Sequence, residues 1–435
     1  QSLCIESLPE RISVHRFGAF IEGLNRNQSI ETLNIWADIG STHFRQMGDF
    51  FRNNNNLREL SFGSMDTIGI ESARSIAFML SQPGKSKLRK ICFEESEASE
   101  EVLAEIATAI STHPHLEELN LCDNNLGRDG SVALGNALQA CNNSRLQKLV
   151  LWSNSIDDEG LRALVDGMMN CHNLTWLELD SNESITVDGF RSLSTLFQSE
   201  HCHLNHLDLS CMNMGDDGAR AISTGLASLN LLDDLNLSDN AIGDDGMSAL
   251  AIGLANLHSL KKLDLANNPI GDLGLQALVA GLVNCGNLNE LRLSDNHNLT
   301  TITASGIRSL STLLRSESCS LTDISLWGIP FGDDGAVALV DGLKGKRLIE
   351  LLFSPNEAGL TSVGWSAFSK LLWDTSSVNN TYLSNHTLER IGDWGNEGPD
   401  DVKQLLELNK HPDEHVAIHK ILKSHLDFDV EPFFE

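Results

Sequence analysis

Residues 232–254 read LDDLNLSDNAIGDDGMSALAIGL, and the spacing of the apolar residues changes part-way along. Up to Asn240 the period is two: Leu235 and Leu237 fall on one side of an extended strand, Asp234, Asn236 and Ser238 on the other. After Asp244 the period is helical, with Gly246, Ala249, Leu250, Gly253 and Leu254 on one stripe. Between the two lies Gly243-Asp244-Asp245-Gly246, a tight turn carrying paired carboxylates. Such a pair is also what a magnesium-dependent phosphoryl-transfer site would use.

Recurrence separates the two readings. Residues 215–218 and 332–335 repeat the same four letters, and 127–130, 157–160 and 271–274 are variants at the same place in the frame. A metal centre is needed once, whereas a helix start is needed in every coil of a repeat protein. The glycine is expected to supply a positive φ, and Asp244 or Asp245 to cap the helix that contains them. Asn240 has counterparts at Asn124, Asn154, Asn182, Asn268, Asn296 and Asn356. This column of amides is expected to satisfy backbone groups where the chain leaves the strand.

The frame LxxLxLxxN starts at Ile30, Leu57, Leu88, Leu116, Leu146, Leu174, Leu204, Leu232, Leu260, Leu288, Leu321 and Leu348, twelve units most often 28 residues apart. Over residues 1–375 the chain resembles the leucine-rich repeat family, in particular its long-repeat, ribonuclease-inhibitor-like subclass. The resemblance implies an α/β fold: a right-handed βα solenoid, bent into a horseshoe with a parallel concave sheet and convex helices. Helices roughly 10 Å wide stacked on strands ~4.8 Å apart give the same curvature. The pattern fades near residue 360, so 376–435 is expected to form a helical cap. In it DDVKQLLELNK would be capped by Asp400 or Asp401, and a second helix would enter at Pro412 and turn Val416, Ile418, Ile421 and Leu422 inward. The same segment is similar to the C-terminal ends of leucine-rich repeat proteins abundant in microalgae, a likeness that implies no activity.

Sixty acidic residues against 31 Lys and Arg give a formal charge of −29, which disfavours nucleic acid and favours a basic protein partner. None of the nine cysteines forms a CxxC pair, and the disulfide caps of extracellular leucine-rich repeat proteins are not seen. A cytoplasmic or nuclear location with free thiols is expected. Cys141, Cys171, Cys202, Cys285 and Cys319 sit just before the next unit, where they would pack under a loop. No segment has the length of a membrane span or the form of a signal peptide, and the chain is expected to continue ahead of Gln1. The eight N-x-S/T sequons are set aside, because Asn182 and Asn236 lie inside the repeat frame.

Little points to catalysis. His201-Cys202-His203 has no second ligand group near it, and there is no phosphate-binding glycine loop and no discernible triad, so no enzyme, cofactor or metal is expected. The informative residues are the third, fifth and seventh of each unit, which face out of the sheet. Trp36, Trp152, Trp176 and Trp327 occupy such positions, and Glu178, Asp180, Asp208, Asp234 and Asp264 follow over consecutive units. Across all units these positions hold eleven acidic residues and four basic ones, Lys90, Lys148, Lys262 and Arg292. The plain reading is that the indoles lie flat and the charge is solvated. The functional reading is a monomeric interaction scaffold that steers a basic segment onto the concave face, with Trp152 and Trp176 on adjacent strands as one anchor patch. Two alternatives stand beside it. The repeat subclass resembles Ran GTPase-activating proteins, although only Arg128, in place of the first Asp of a turn, is suggestive. The chain is otherwise the sensor half of a larger receptor.

Overall fold

The structure is a computed structural model describing residues 2–5, 14–36, 47–63, 74, 76–78, 87–95, 100–110, 115–141, 145–295, 302–393, 398–410 and 416–425. It divides into two compact units, residues 1–214 with 224–232, and residues 215–223 with 233–435.

In the first unit the strands are β1 (Ser2–Ile5), β2 (Thr32–Ile35), β3 (Glu59–Gly63), β4 (Lys90–Glu94), β5 (Glu118–Asn120), β6 (Lys148–Val150), β7 (Trp176–Glu178) and β8 (His206–Asp208). Each pairs in parallel with the next. The helices between them are α1 (Val14–Asn25), α2 (Gly48–Asn53), α3 (Glu100–Ile110), α4 (Gly127–Ala140), α5 (Asp158–Met168) and α6 (Val187–Phe197); α7 (Gly215–Leu226) has residues in both units.

The second unit repeats the scheme. Strands β9 (Asp234–Asn236), β10 (Lys262–Asp264), β11 (Glu290–Arg292), β12 (Asp323–Ser325), β13 (Glu350–Leu352) and β14 (Arg390–Gly392) pair in parallel and in chain order. Its helices are α8 (Asp244–Leu254), α9 (Asp272–Leu282), α10 (Ala304–Arg315), α11 (Gly332–Leu343), α12 (Ser362–Leu372), α13 (Val378–Tyr382), α14 (Asp400–Asn409) and α15 (Val416–Ser424). The expected α/β fold, parallel strands alternating with helices coil by coil, is what the chain adopts. All twelve frame positions start a strand, with β1 before them.

The stripe read from residues 232–254 is the core: Leu235, Leu237, Leu250 and Leu254 are fully buried. Glycines on the helices set how closely coils approach. A Cβ on Gly135 would lie 2.2 Å from the carbonyl oxygen of Ala163, so α4 and α5 meet only because that carbon is missing. In several units an asparagine stands where the chain leaves the strand. Asn182 Nδ2 donates to the carbonyls of Leu151, Leu179 and Asp180, and its Oδ1 accepts from the amides of Asn154 and Ile156. Asn268 makes the same five bonds in the second unit. The residue before each is left-handed, Ser181 at φ 58° and Asn267 at 55°. Two members depart from the column: Asn356 is exposed and Asn296 lies outside the described residues.

The turn works differently from the expectation. Gly243 and Gly271 have φ of −94° and −106°, not positive values. In five turns the aspartate at the second place caps the helix of the following coil, not its own. Asp216 Oδ1 accepts from the amides of Gly243 and Gly246, and Asp244 Oδ1 from those of Gly271 and Gly274. Asp272 serves Thr303 and Gly306. Asp158 serves Thr186 and Gly189, and Asp333 serves Thr361 and Gly364. Where the preceding coil has Val187 or Ala304 at that place, the helix instead opens on a left-handed glycine, Gly215 at 59° or Gly332 at 65°. A third start, at α5, uses that helix's own Asp157 as cap, so only the starts on glycine need glycine's freedom.

The segment 376–435 contains α13, α14 and α15, and also β14, on which Leu388 and Ile391 continue the buried leucine positions. Asp400 and Asp401 do not cap α14 through a side chain. Pro399 precedes the helix, and Asp401 Oδ2 instead accepts from Ser369 Oγ. The entry at Pro412 lies outside the described residues. On α15, Val416 and Ile421 are buried, but Ile418 and Leu422 are exposed and Lys420 is fully buried in their place. Its Nζ donates to the carbonyls of Leu372 and Asn385 and to Asn409 Oδ1, tying α15 to the last turn of α12, where the helix dipole favours a cation. Burial pushes this amine down to about 8.

Candidate interaction face

Strand register ranks the outward side chains. In the first unit Trp176 on β7 stands level with Lys148 on β6 and His206 on β8. Its ring stacks on the His206 imidazole, centroids 3.6 Å apart, and Lys148 Nζ lies 4.1 Å from the ring centroid on its other neighbour's side. Trp176 Nε1 donates to Glu178 Oε1, and Lys148 also pairs with Glu178 at 3.4 Å. The indole is therefore half-buried, held by a cation–π contact, a stack and a hydrogen bond.

Trp152, also half-buried, is level with Asp180, whose carbonyl accepts from the next amide, Ser153 N. Trp152 therefore sits four residues further along its strand than Lys148, the neighbour of Trp176. That places the two indoles roughly 13 Å apart along the strand direction, on adjacent strands but at different levels. Trp36 packs against β3, so close that a Cβ on Gly63 would come within 2.3 Å of its ring.

Between the levels of the two indoles, Glu178 and Asp208 lie near Asp180. Burial, then Asp208, then Glu178 raise Asp180 to about 7. Asp208 Oδ1 is turned to the amide and hydroxyl of Ser210. In the second unit Asp234 and Trp327 are half-buried outward positions. Asp264 is raised by burial, while Arg292, 3.5 Å away, opposes the shift. All four outward basic residues pair with a carboxylate one strand away: Lys90 with Glu118, Lys148 with Glu178, Lys262 with Glu290 and Arg292 with Asp264. The remaining outward charge is acidic.

Arg128 and His201 make contacts with neighbouring coils. Arg128 binds Asp157 at 2.6 Å and Glu159 at 3.2 Å, and Asp157 in turn accepts from Gly160 N to cap α5. The arginine replaces the missing ladder aspartate by holding the next coil's own cap. His201 stacks on His172, ring centroids 4.3 Å apart. Among the described residues no group of three or more His, Cys, Asp or Glu is arranged to hold a metal ion. Cys141, Cys171 and Cys285 are buried. Asn182, one of the sequons, is fully buried. No described helix is long and apolar enough to cross a membrane. The clamp formed by Lys148 and His206 on Trp176 was not read from the sequence. The signal was there, since all three hold the third position of consecutive units.

A family model described as Leucine Rich repeat matches residues 112–135, 142–165, 200–223, 228–251 and 256–279. A stretch of 130 residues, 30% of this chain, is 31% identical to NACHT, LRR and PYD domains-containing protein 5 of Mus musculus and covers 11% of it. Another of 150 residues, 34% of this chain, is 31% identical to protein NLRC5 of Ictalurus punctatus and covers 8% of that protein. The chain thus spans only a small part of the curated relatives it matches. Among solved structures, an internalin (inlF) from Listeria monocytogenes is similar over 74% of this chain and 79% of its own, at 18% identity and TM-score 0.46. The Rad7 and Elc1 complex of yeast is similar over 76% of each chain, at 16% identity and TM-score 0.49.

Proposed function

We propose that this chain, which belongs to the leucine-rich repeat family, is a non-enzymatic interaction scaffold whose strand face binds a protein segment rich in Lys or Arg. One observation carries the reading. Glu178, Asp180 and Asp208 gather on adjacent strands between two half-buried tryptophans, and burial together with the two neighbouring carboxylates raises Asp180 to about 7. Like charges brought together out of water oppose folding, and an incoming cation relieves them. Trp152 and Trp176 supply apolar contact at two levels, and Trp36, Trp327, Asp234 and Asp264 extend the outward positions on their own strands. A cytoplasmic or nuclear, monomeric protein fits this reading.

The test is binding of a Lys/Arg-rich decapeptide by fluorescence anisotropy. A bound cation favours ionised Asp180, so affinity rises as pH passes upward through about 7, with uptake of the peptide releasing a proton. In Asp180→Asn that rise disappears. Trp152→Ala with Trp176→Ala weakens binding by roughly 30-fold or more, about 2 kcal/mol for a hot spot. Unchanged affinity in the double variant refutes the location.

The relatives favour a second reading, in which the chain is the repeat portion of a larger receptor, since the names of three of them include NACHT and PYD domains. The longer coding sequence tests this directly. Segment 376–435 then closes the last coil through Lys420 and β14.

A further inference from the structure

On the helical side of the second unit a groove of about 1200 Å³ runs across α10, α11 and α12 to the end of α13. Its floor is apolar and open: Val337, Val363 and Leu383 are 50%, 60% and 48% exposed. Side chains of this kind gathered in one concavity mark an interaction surface more often than chance exposure does.

The rim has a charge unlike the rest of the molecule. In a chain of net charge −29, it carries Arg308, Arg315, Lys344 and Lys370 against three aspartates. Two of those aspartates are engaged. Asp341 holds both Arg315 and Lys344, and Asp374 accepts from the amide and hydroxyl of Ser376, which keeps its carboxyl below the usual range. Arg308 and Lys370 are exposed and in no ion pair among the described residues. On the strand face, by contrast, every outward cation is already paired.

We propose that this groove is a second docking surface, taking an extended protein segment in which acidic residues alternate with apolar ones. Four helices packed at 8–10 Å present roughly 30 Å of groove, the reach of about nine extended residues. Alternation follows from the strand period: one set of side chains enters the apolar floor while the other rises to Arg308 and Lys370. A uniform polyanion, nucleic acid or lipid surface, meets the rim aspartates and the strongly acidic remainder of the chain and is repelled.

The peptide Leu-Asp-Phe-Asp-Val-Glu-Pro-Phe-Phe-Glu, the sequence of residues 426–435, has this chemistry and serves as probe when fluorescein-labelled. Anisotropy against the full chain is expected to show saturable binding that weakens with salt. Arg308→Glu with Lys370→Glu, and separately Val363→Asp, reduce affinity at least tenfold, while Trp176→Ala leaves it unchanged. Circular dichroism melts confirm that each variant is folded, and Val363 is exposed enough for the aspartate to be tolerated. Absence of saturable binding, or binding indifferent to the charge reversal, overturns the proposal. So does binding seen only after Phe428→Ser, Phe433→Ser and Phe434→Ser are placed in the chain itself, because the groove then belongs to the chain's own segment.

Discussion

Removing one carboxylate separates the two readings of the Gly-Asp-Asp-Gly turn. Asp244 and Asp245 are adjacent and share the first turn of α8, so a dipole or own-helix cap makes them nearly equivalent. The structure makes them unequal. Asp244 Oδ1 accepts from Gly271 N at 2.7 Å and Gly274 N at 2.8 Å, both on the next coil, while Asp245 is exposed. Asp244→Ala leaves two helix-start amides without their ionised acceptor, which costs about 2 kcal/mol, the upper end for a lost cap. Asp245→Ala stays within about 0.5 kcal/mol, as surface changes usually do. Asp244→Asn keeps an oxygen in place but loses the charge, and falls between. Urea unfolding measures the ranking, and hydrogen exchange locates it: protection drops in the peptide containing Gly271 and Gly274. Equal losses for the two alanine variants, or loss of protection confined to residues 246–250, would refute the ladder.

Two further outcomes follow from buried groups. Asn268→Ala removes five hydrogen bonds from a fully buried site and costs about 3–5 kcal/mol in the same assay, whereas Asn356→Ala, at an exposed member of the column, changes little. Lys420 has a folded pKa of about 8 against an ordinary 10.5, so between these values the unfolded chain holds the proton that the folded chain has released. Stability attributable to this amine therefore rises from pH 8 to pH 10.5, by at most about 3 kcal/mol, and denaturant midpoints of Lys420→Met lack that component. A wild-type curve parallel to the variant's across this range would show that the three acceptors hold the amine charged.

The coils were legible because their signal is redundant. Leu235 and Leu237 repeat in twelve units, and every unit has its strand. Contacts between coils were not, because the partner of a side chain lies about 28 residues away and nothing local names it. Asp244 looks like a cap of α8 until Gly271 is seen beside it, and Trp176 looks exposed until Lys148 and His206 close on it. Arg128 looked anomalous for the same reason. Near the end the period lengthens to 40 residues between Leu348 and Leu388, so β14 falls outside the repeat frame. A buried lysine among apolar residues of α15 has no sequence signature, since its acceptors are two backbone carbonyls and a distant amide.

The ladder of aspartates gives the chain a grammar with a direction. Each coil that carries one finishes its successor, so exchanging one such coil for another leaves every helix start answered. A coil placed after one that lacks the acid must bring its own start, either a left-handed glycine, as at Gly215 and Gly332, or a cap of its own, as at Asp157. Coil shuffling, natural or engineered, is therefore constrained less by what a module contains than by which module it is asked to follow.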